Sequence, residues 1–230
     1  MNPMGRVLAV ARSGALPYEA AVRWQEALLE RRCAGVGDDC LLLLEHPPVY
    51  TLGRGADPRF LGTAQHGGVP VVRASRGGQV TYHGPGQLVG YPIVDLRGHR
   101  QDVHWYVAEI EQSLIDALEA LGVAAGRVVG RPGVWVDGRR KIASIGVGIR
   151  RWVTWHGFAL NVAADLGGFA AITPCGIAGV QMTSVALEGG AHDMVRVTDA
   201  VLAAFMRRFG YEVVVPVRCE AQAPAPEVRA

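Results

Sequence analysis

The sequence predicts an α+β domain in which mixed or antiparallel sheets pack against a few helices. Short apolar or alternating runs, each ended by Gly, Pro or Asp, predict many strands. Only three segments have the apolar period of a helix. The strands follow one another directly, several through hairpin-like turns, so a doubly wound parallel sheet is not expected.

The three predicted helices cover residues 17–32, 101–121 and 198–209. Pro17 near the start of the first and Gly35 after its end fit the usual asymmetry of helix termini. Gly122 is expected to stop the second helix, which has the longest apolar face.

Ten strands are predicted, and Asp137-Gly138 between two of them is a strong hairpin signal. Residues 53–68, rich in Gly, Pro, Asp and Arg, are expected to form a long loop. The predicted strands cover residues 6–11, 40–44, 49–52, 69–73, 79–82, 87–96, 133–136, 140–149, 154–162 and 211–215.

Length and composition predict one domain over residues 1–219, followed by an Ala/Pro-rich tail at 220–230 that is expected to fray. Half of the 230 residues are hydrophobic, and 19% are charged, which is too few for a disordered chain. The net charge of +2, without a basic stripe, argues against a nucleic-acid binder.

The sequence contains no apolar run of roughly 18 residues that could span a membrane. Its first ten residues lack the apolar core of a signal peptide, so a cytoplasmic protein is expected. The four cysteines have no C-x-x-C spacing, and neither disulfides nor a metal site is predicted.

Lys141 is the only lysine among 23 basic residues. A biased genome composition explains the preference for arginine, but arginine cannot give up its proton as an amine can. Lys141 begins a predicted strand with apolar or small neighbours, where partial burial would favour a neutral amine. The residue is therefore a candidate base, although a lysine reaching to solvent from a strand end is the alternative.

Residues 76–86 have the sequence Arg-Gly-Gly-Gln-Val-Thr-Tyr-His-Gly-Pro-Gly. Four glycines, a histidine and an arginine within this segment are more than a plain turn requires. Glycine pairs let a ligand approach the backbone closely. The pattern is not a phosphate-binding P-loop. We therefore expect a binding loop, with an ordinary β-turn as the alternative.

Cys175 lies in Pro174-Cys175-Gly176, which suits a cysteine fixed in a tight loop. A catalytic cysteine needs a nearby cation or base, which Lys141 or His156 could supply. Buried packing is the alternative for Cys175, and a structural or substrate-contacting role is the alternative for His156. Cys33, Cys40 and Cys219 have no such context and are expected to be structural.

Five blocks of the sequence resemble, in residues and in order, the signature blocks of octanoyltransferases of lipoate biosynthesis. They are residues 76–86, 133–136, 141–146, 156–162 and 174–177. The resemblance covers residues 41–184 and implies the fold of the biotin/lipoate protein ligase catalytic domain. It implies octanoyl-acyl carrier protein as donor, and lipoyl domains of 2-oxoacid dehydrogenase complexes or the glycine-cleavage H protein as acceptors. It implies neither ATP nor a metal.

The resemblance also implies roles for individual residues. Cys175 matches the acyl-thioester nucleophile, and Lys141 matches the residue that activates it. His156 and Asn161 are supporting residues. The segments that match acyl-binding positions comprise Arg76, Gly77, Gly78, Gln79, Val80, Thr81, Tyr82, His83, Ser144, Ile145, Gly146, Gly157, Phe158 and Ala159.

Three other functions remain open from the sequence. An ATP-dependent lipoate ligase would share the fold and would not need Cys175. A cysteine hydrolase or thioesterase would use Cys175 with His156. A non-catalytic module would only bind the carrier or the lipoyl domain.

Overall fold

The structure is a computed structural model of the chain that describes residues 5–62, 67–176 and 179–217, apart from the side chain of residue 175. It contains helices α1 (Tyr18–Cys33), α2 (Val103–Ala120) and α3 (Met194–Phe209). Its strands are β1 (Val7–Ala15), β2 (Asp39–Glu45), β3 (Val49–Leu52), β4 (Val71–Arg73), β5 (Val80–His83), β6 (Gln87–Ile93), β7 (Gly126–Val128), β8 (Arg131–Val136), β9 (Arg140–Arg150), β10 (Val153–Asn161), β11 (Gln181–Met182) and β12 (Val213–Pro216).

Within the described ranges, the main sheet has nine strands in the order β12-β1-β2-β6-β10-β9-β8-β7, with β11 also paired to β9. The pairs β1–β12, β1–β2 and β9–β11 are parallel, and the other pairs of this sheet are antiparallel. A second sheet has the order β4-β3-β5. The mixed α+β class predicted from the sequence is confirmed.

Strand β2 explains how helices cover both faces of the main sheet. It is a continuous apolar run, and side chains alternate between faces along a strand. Leu41 and Leu43 face the core beneath α2 and α3, whereas Leu42 and Leu44 face the core beneath α1. Burial of both faces accounts for the absence of polar alternation in this segment.

The helix termini follow from local side chains. Asp102 accepts a hydrogen bond from the backbone N–H of Trp105, and Asp193 accepts one from the backbone N–H of Arg196. Each carboxylate satisfies one of the amide groups that a helix start leaves unpaired. Gly210 ends α3 with the left-handed conformation that glycine adopts readily.

Several predicted boundaries were wrong, and two strands were not predicted. Helix α3 begins at Met194 rather than residue 198, because Asp193 caps it. β7 and β11 are three and two residues long, too short to have a period. The predicted loop at 53–68 contains a 3-10 turn, Pro58–Leu61. The predicted tail at 220–230 lies outside the described residues.

Candidate active site

A cavity of about 240 Å³ lies between strands β6, β10 and β9 of the main sheet and the loop that leads into β5. Most of the residues that the sequence singled out line it. They are Arg76, Gly78, Gln79, Val80, Thr81, His83, Lys141, Ser144, Ile145, Gly146, His156, Gly157, Phe158 and Ala159.

Small residues in register form the floor of this cavity. Ala159 of β10 pairs with Val89 of β6 on one side and with Ser144 of β9 on the other. Two positions away on the same strands, Gly157 pairs with Gly146. A Cβ atom at Gly146 would lie 3.1 Å from both the Arg76 side chain and the carbonyl oxygen of Gly77. The absence of side chains here lets the binding loop approach the sheet closely.

Lys141 enters the cavity wall from the second residue of β9. The side chain is buried, with 1% of the residue exposed. Its Nζ donates to the carbonyl oxygen of Pro132 at 2.8 Å and lies 5.1 Å from the centre of the Trp135 ring. The amine is thus withdrawn from bulk water in an aromatic and carbonyl environment.

Gly133 makes room for this lysine. Its φ is +113°, and a Cβ atom there would lie 2.5 Å from the carbonyl oxygen of Ala143 and 2.8 Å from Cε of Lys141. The N–H of Gly133 donates to Glu111 at 2.9 Å, and the other carboxylate oxygen of Glu111 accepts from Arg127 at 2.9 Å. A carboxylate on α2 therefore fixes the strand against which Lys141 packs.

The segment that carries Cys175 lies against the same wall. Residues Pro174–Gly176 form a 3-10 turn that packs on β5. A Cβ atom at Gly176 would lie 3.2 Å from Cγ of Gln79, a residue of the cavity wall. Farther along, Met182 pairs with Lys141. The side chain of Cys175 lies outside the described part of the chain.

A chain of hydrogen bonds fixes the orientation of the binding loop. Arg76 donates to the carbonyl oxygen of Thr51 at 2.6 Å and to its hydroxyl at 2.7 Å. The Thr51 hydroxyl lies 3.4 Å from Nε2 of His83, whose Nδ1 lies 2.7 Å from Oε1 of Gln87. Since an amide oxygen only accepts, Nδ1 of His83 carries the proton. Gln87 in turn donates to Asn161 at 2.9 Å.

His156 has an unusual conformation for a strand residue. Its φ is +53°, a value that non-glycine residues adopt rarely and often near functional sites. Its Nε2 lies 3.0 Å from the Ser75 hydroxyl, and its backbone N–H donates to Gln25 at 2.8 Å. Its buried Nδ1 has no hydrogen-bond partner among the described residues.

Three buried histidines around the cavity are neutral near pH 7. Burial lowers the pKa of His83 to about 3, with repulsion from His46 adding to the effect. Burial also lowers the pKa of His156 to about 3, assisted by the charge of Arg76, and that of His46 to about 4. An unpartnered charge is costly in such surroundings, so the site disfavours protonated imidazole.

Some predicted residues lie away from the cavity wall. Tyr82 packs against Tyr50 and Phe169, with ring centres 5.2 and 5.6 Å away. The N–H of Gly77 donates to Val147 at 2.8 Å. Asn161 accepts from Gln87 and donates to Thr183, so it supports the wall from behind.

Five residues of the wall were not singled out from the sequence. Tyr91 and Val89 could have been found from the alternation of their strand, which puts them on one face. Nothing in the local sequence marks Tyr18, Gly130 or Pro132 as cavity residues. The five are Tyr18, Val89, Tyr91, Gly130 and Pro132.

Within the described ranges, no group of three or more His, Cys, Asp or Glu side chains is arranged to hold a metal ion. No described helix has both the length and the apolar character needed to cross a membrane.

Residues 17–206 match the family model of the lipoyl protein ligase A/B catalytic domain. An octanoyltransferase of Gloeobacter violaceus is 49% identical over 218 residues, which covers 94% of each chain. A putative lipoate protein ligase of T. acidophilum, solved with bound lipoic acid, superposes with a TM-score of 0.74 at 16% identity, covering 95% of this chain and 92% of that one. A biotin protein ligase of Aquifex aeolicus superposes with a TM-score of 0.53 at 13% identity, over 87% and 70% of the two chains.

Proposed function

We propose that this chain transfers an octanoyl group through a thioester on Cys175. It belongs to the lipoyl protein ligase A/B catalytic domain family and is an octanoyltransferase of protein lipoylation. The donor is octanoyl-acyl carrier protein. The acceptors are the target lysines of lipoyl domains in 2-oxoacid dehydrogenase complexes and of the glycine-cleavage H protein. A cytoplasmic site of action stays a prediction.

One observation carries this proposal. The only lysine of the chain has its amine buried in the wall of a largely apolar cavity, against which the turn that contains Cys175 also packs. We propose that Nζ of Lys141 reaches Sγ of Cys175. Two described residues near Cys175 in the chain support this arrangement, because Gly176 lies beside Gln79 and Met182 pairs with Lys141.

The size and lining of the cavity suit an eight-carbon acyl chain. A cavity of about 150 Å³ can hold benzene, which has six carbon atoms. A volume of 240 Å³ therefore accommodates a chain of octanoyl size. Each buried methylene contributes about 0.8 kcal/mol. We assign acyl binding to residues 76–83, 144–146 and 157–159, with Tyr82 and Gly77 supporting the wall rather than forming it.

In the first half-reaction, the amine of Lys141 takes the proton of the Cys175 thiol. The thiolate attacks the carbonyl carbon of the donor, a new C–S bond forms, and the carrier thiol leaves with the proton that Lys141 returns. One thioester replaces another, so the step is near balance and needs no ATP.

In the second half-reaction, the amine of the acceptor lysine attacks the thioester carbonyl. Lys141 takes the amine proton and returns a proton to the departing Cys175 sulfur. An amide replaces a thioester, which makes this step downhill.

The low pKa of His156 also favours Lys141 as the base. An imidazole with a pKa of about 3 is a weak acceptor for a thiol proton near pH 7. His156 and Asn161 are therefore proposed as supporting residues. The cysteine hydrolase alternative, which requires His156 as base, is disfavoured on this ground.

The test is to mix the enzyme with octanoyl-acyl carrier protein without ATP and to measure the intact mass. We expect an octanoyl adduct that Cys175→Ala abolishes and Cys33→Ala retains, since Cys33 lies outside the cavity wall. Adding a lipoyl domain should move the octanoyl group to its lysine.

Other outcomes contradict the proposal in distinct ways. Modification of the acceptor by Cys175→Ala with octanoate and ATP would identify a ligase. Release of free octanoate without an acceptor, abolished by His156→Ala, would identify a hydrolase. Carrier binding without any adduct would leave a non-catalytic module.

A further inference from the structure

One peptide unit of β8 is left out of the residue pairing of the main sheet. Residues 131 and 134–136 pair with β7 or β9, whereas Pro132 and Gly133 have no partner residue in the described strands. The peptide that joins these two residues consists of the C=O of Pro132 and the N–H of Gly133. Because a buried backbone polar group is costly without a partner, this peptide needs partners other than a strand.

Side chains from two different elements bind the two sides of this peptide. Oε1 of Glu111, on α2, accepts from the N–H of Gly133 at 2.9 Å. Nζ of Lys141, on β9, donates to the carbonyl oxygen of Pro132 at 2.8 Å. In a trans peptide the N–H and the C=O point in opposite directions within one rigid plane. A single planar unit therefore connects the carboxylate to the amine, and a rotation of this plane moves both contacts.

The carboxylate of Glu111 is itself held in place. Its other oxygen, Oε2, accepts from Nε of Arg127 at 2.9 Å. Arg127 also donates to the carbonyl oxygen of Ala108 at 2.6 Å and to the side chain of Gln112 at 2.8 Å, both on α2. Glu111 is buried, with 8% of the residue exposed. Helix α2 and strand β7 together therefore fix the oxygen that holds the peptide.

We propose that Glu111 is a positioning residue that orients the amine of Lys141 through the peptide between Pro132 and Gly133. The inference rests on the proposed function, in which Lys141 is the base for Cys175. A base that activates a nucleophile is itself oriented by a third group. Here that group acts through a backbone peptide rather than by direct contact. A hydrogen bond to the N–H also polarises the peptide and strengthens its C=O as an acceptor.

Two replacements of Glu111 separate its hydrogen bond from its charge. Glu111→Gln and Glu111→Met keep a similar length, and both remove the ion pair with Arg127. Only glutamine retains an oxygen that can accept from the N–H of Gly133. The matched controls are Glu109→Gln and Glu109→Met. Glu109 is on the same helix and accepts from Nε of Arg208 at 2.9 Å, which joins α2 to α3 instead of to β7.

Each protein is mixed with an excess of octanoyl-acyl carrier protein, and growth of the Cys175 adduct is followed by intact mass. We expect the limiting rate constant to fall about 10-fold in Glu111→Met and at most about 3-fold in Glu111→Gln, because misplacing a catalytic group by about 1 Å can cost roughly 100-fold. The donor concentration that gives half of the limiting rate should not change. Complete conversion at long times shows that the slow variant is uniformly folded.

Lys141 supplies a second measurement that does not depend on activity. Because it is the only lysine of the chain, tag-free protein made with isotope-labelled lysine gives a single NMR signal from the side-chain Cε. We expect this signal to shift in Glu111→Met. It should coincide with the wild-type signal in both Glu109 variants.

Equal rate constants in Glu111→Met and Glu111→Gln overturn the inference, and so does an equal fall in Glu109→Met or an unshifted lysine signal in Glu111→Met. Failure of Glu111→Met to fold, seen in melting curves, also overturns it, because the carboxylate then maintains the fold rather than orienting the base. The proposed function stands in each of these cases. Absence of any adduct on the wild-type enzyme overturns the proposed function instead, and the lysine signal still tests the contact between Glu111 and Lys141.

Discussion

Replacing Gly133 by alanine tests how tightly the fold fixes the position of Lys141. Gly133 has a φ of +113°, and its missing side chain faces the β9 backbone and the lysine stem. The added methyl group meets the carbonyl oxygen of Ala143 at 2.5 Å and Cε of Lys141 at 2.8 Å. The lysine end can bend away, but a backbone carbonyl in a sheet cannot.

The expected effect has two parts. A non-glycine residue at such a φ costs about 1–3 kcal/mol, and overpacking a filled core adds about 1–3 kcal/mol. The free energy of unfolding should therefore fall by about 4 kcal/mol. To restore ordinary contact, the separation must grow from 2.5 to 3.4 Å, a shift of 0.9 Å. A displacement of about 1 Å can cost a catalytic group roughly 100-fold in rate.

The stability is measured by denaturant unfolding, followed by tryptophan fluorescence, and the activity by the rate of adduct formation on Cys175. Two control variants separate the causes. Gly126→Ala adds a methyl group to open space at an ordinary φ, and Gly138→Ala adds one at a φ of +66° with its nearest neighbour 3.9 Å away.

We expect Gly126→Ala to be nearly neutral and Gly138→Ala to lose about 1 kcal/mol, the cost of a left-handed residue. If Gly133→Ala matches Gly138→Ala in stability and forms the adduct at the wild-type rate, the reasoning about the lysine pocket is refuted.

Three further results are expected. Lys141→Arg should lower kcat/KM at least about 100-fold, because arginine cannot act as a neutral base; a folded variant with wild-type turnover would exclude Lys141 from that role. His46, His83 and His156 have pKa values below the ordinary 6.5, so the unfolded state binds more protons, and stability falls as the pH drops from 6.5 toward 4. Each of these histidines lowers the free energy of unfolding by about 2 kcal/mol at pH 5 relative to pH 7. Urea unfolding at both pH values measures whether stability falls in this direction. Gly146→Ala should weaken octanoyl loading several-fold, because the added methyl group pushes the binding loop away from the sheet. The measurement is the rate of adduct formation as a function of donor concentration, and an unchanged concentration dependence contradicts the expectation.

The site illustrates what one sequence can and cannot predict. Lys141 could be singled out because it is the only lysine, and residues 76–86 because glycine and polar residues are concentrated there. Tyr18 could not be found in this way, since a tyrosine at the start of an amphipathic helix is an ordinary core residue. His156 was noticed as a candidate base, but its left-handed φ and its lowered pKa depend on the surrounding strands.

By itself, the sequence determined the α+β class, most of the strands and helices, and the blocks that resemble octanoyltransferases. These features are local, because the apolar period, the turn residues and the motifs each depend on a few neighbouring positions in the sequence. Only the tertiary structure decided which of those blocks share a cavity, that Glu111 and Gly133 hold the strand beside Lys141, and that Tyr18 of α1 lines the same cavity. Strand register and the packing of α1 bring these groups together from distant parts of the chain, and no pattern along the sequence records such distances.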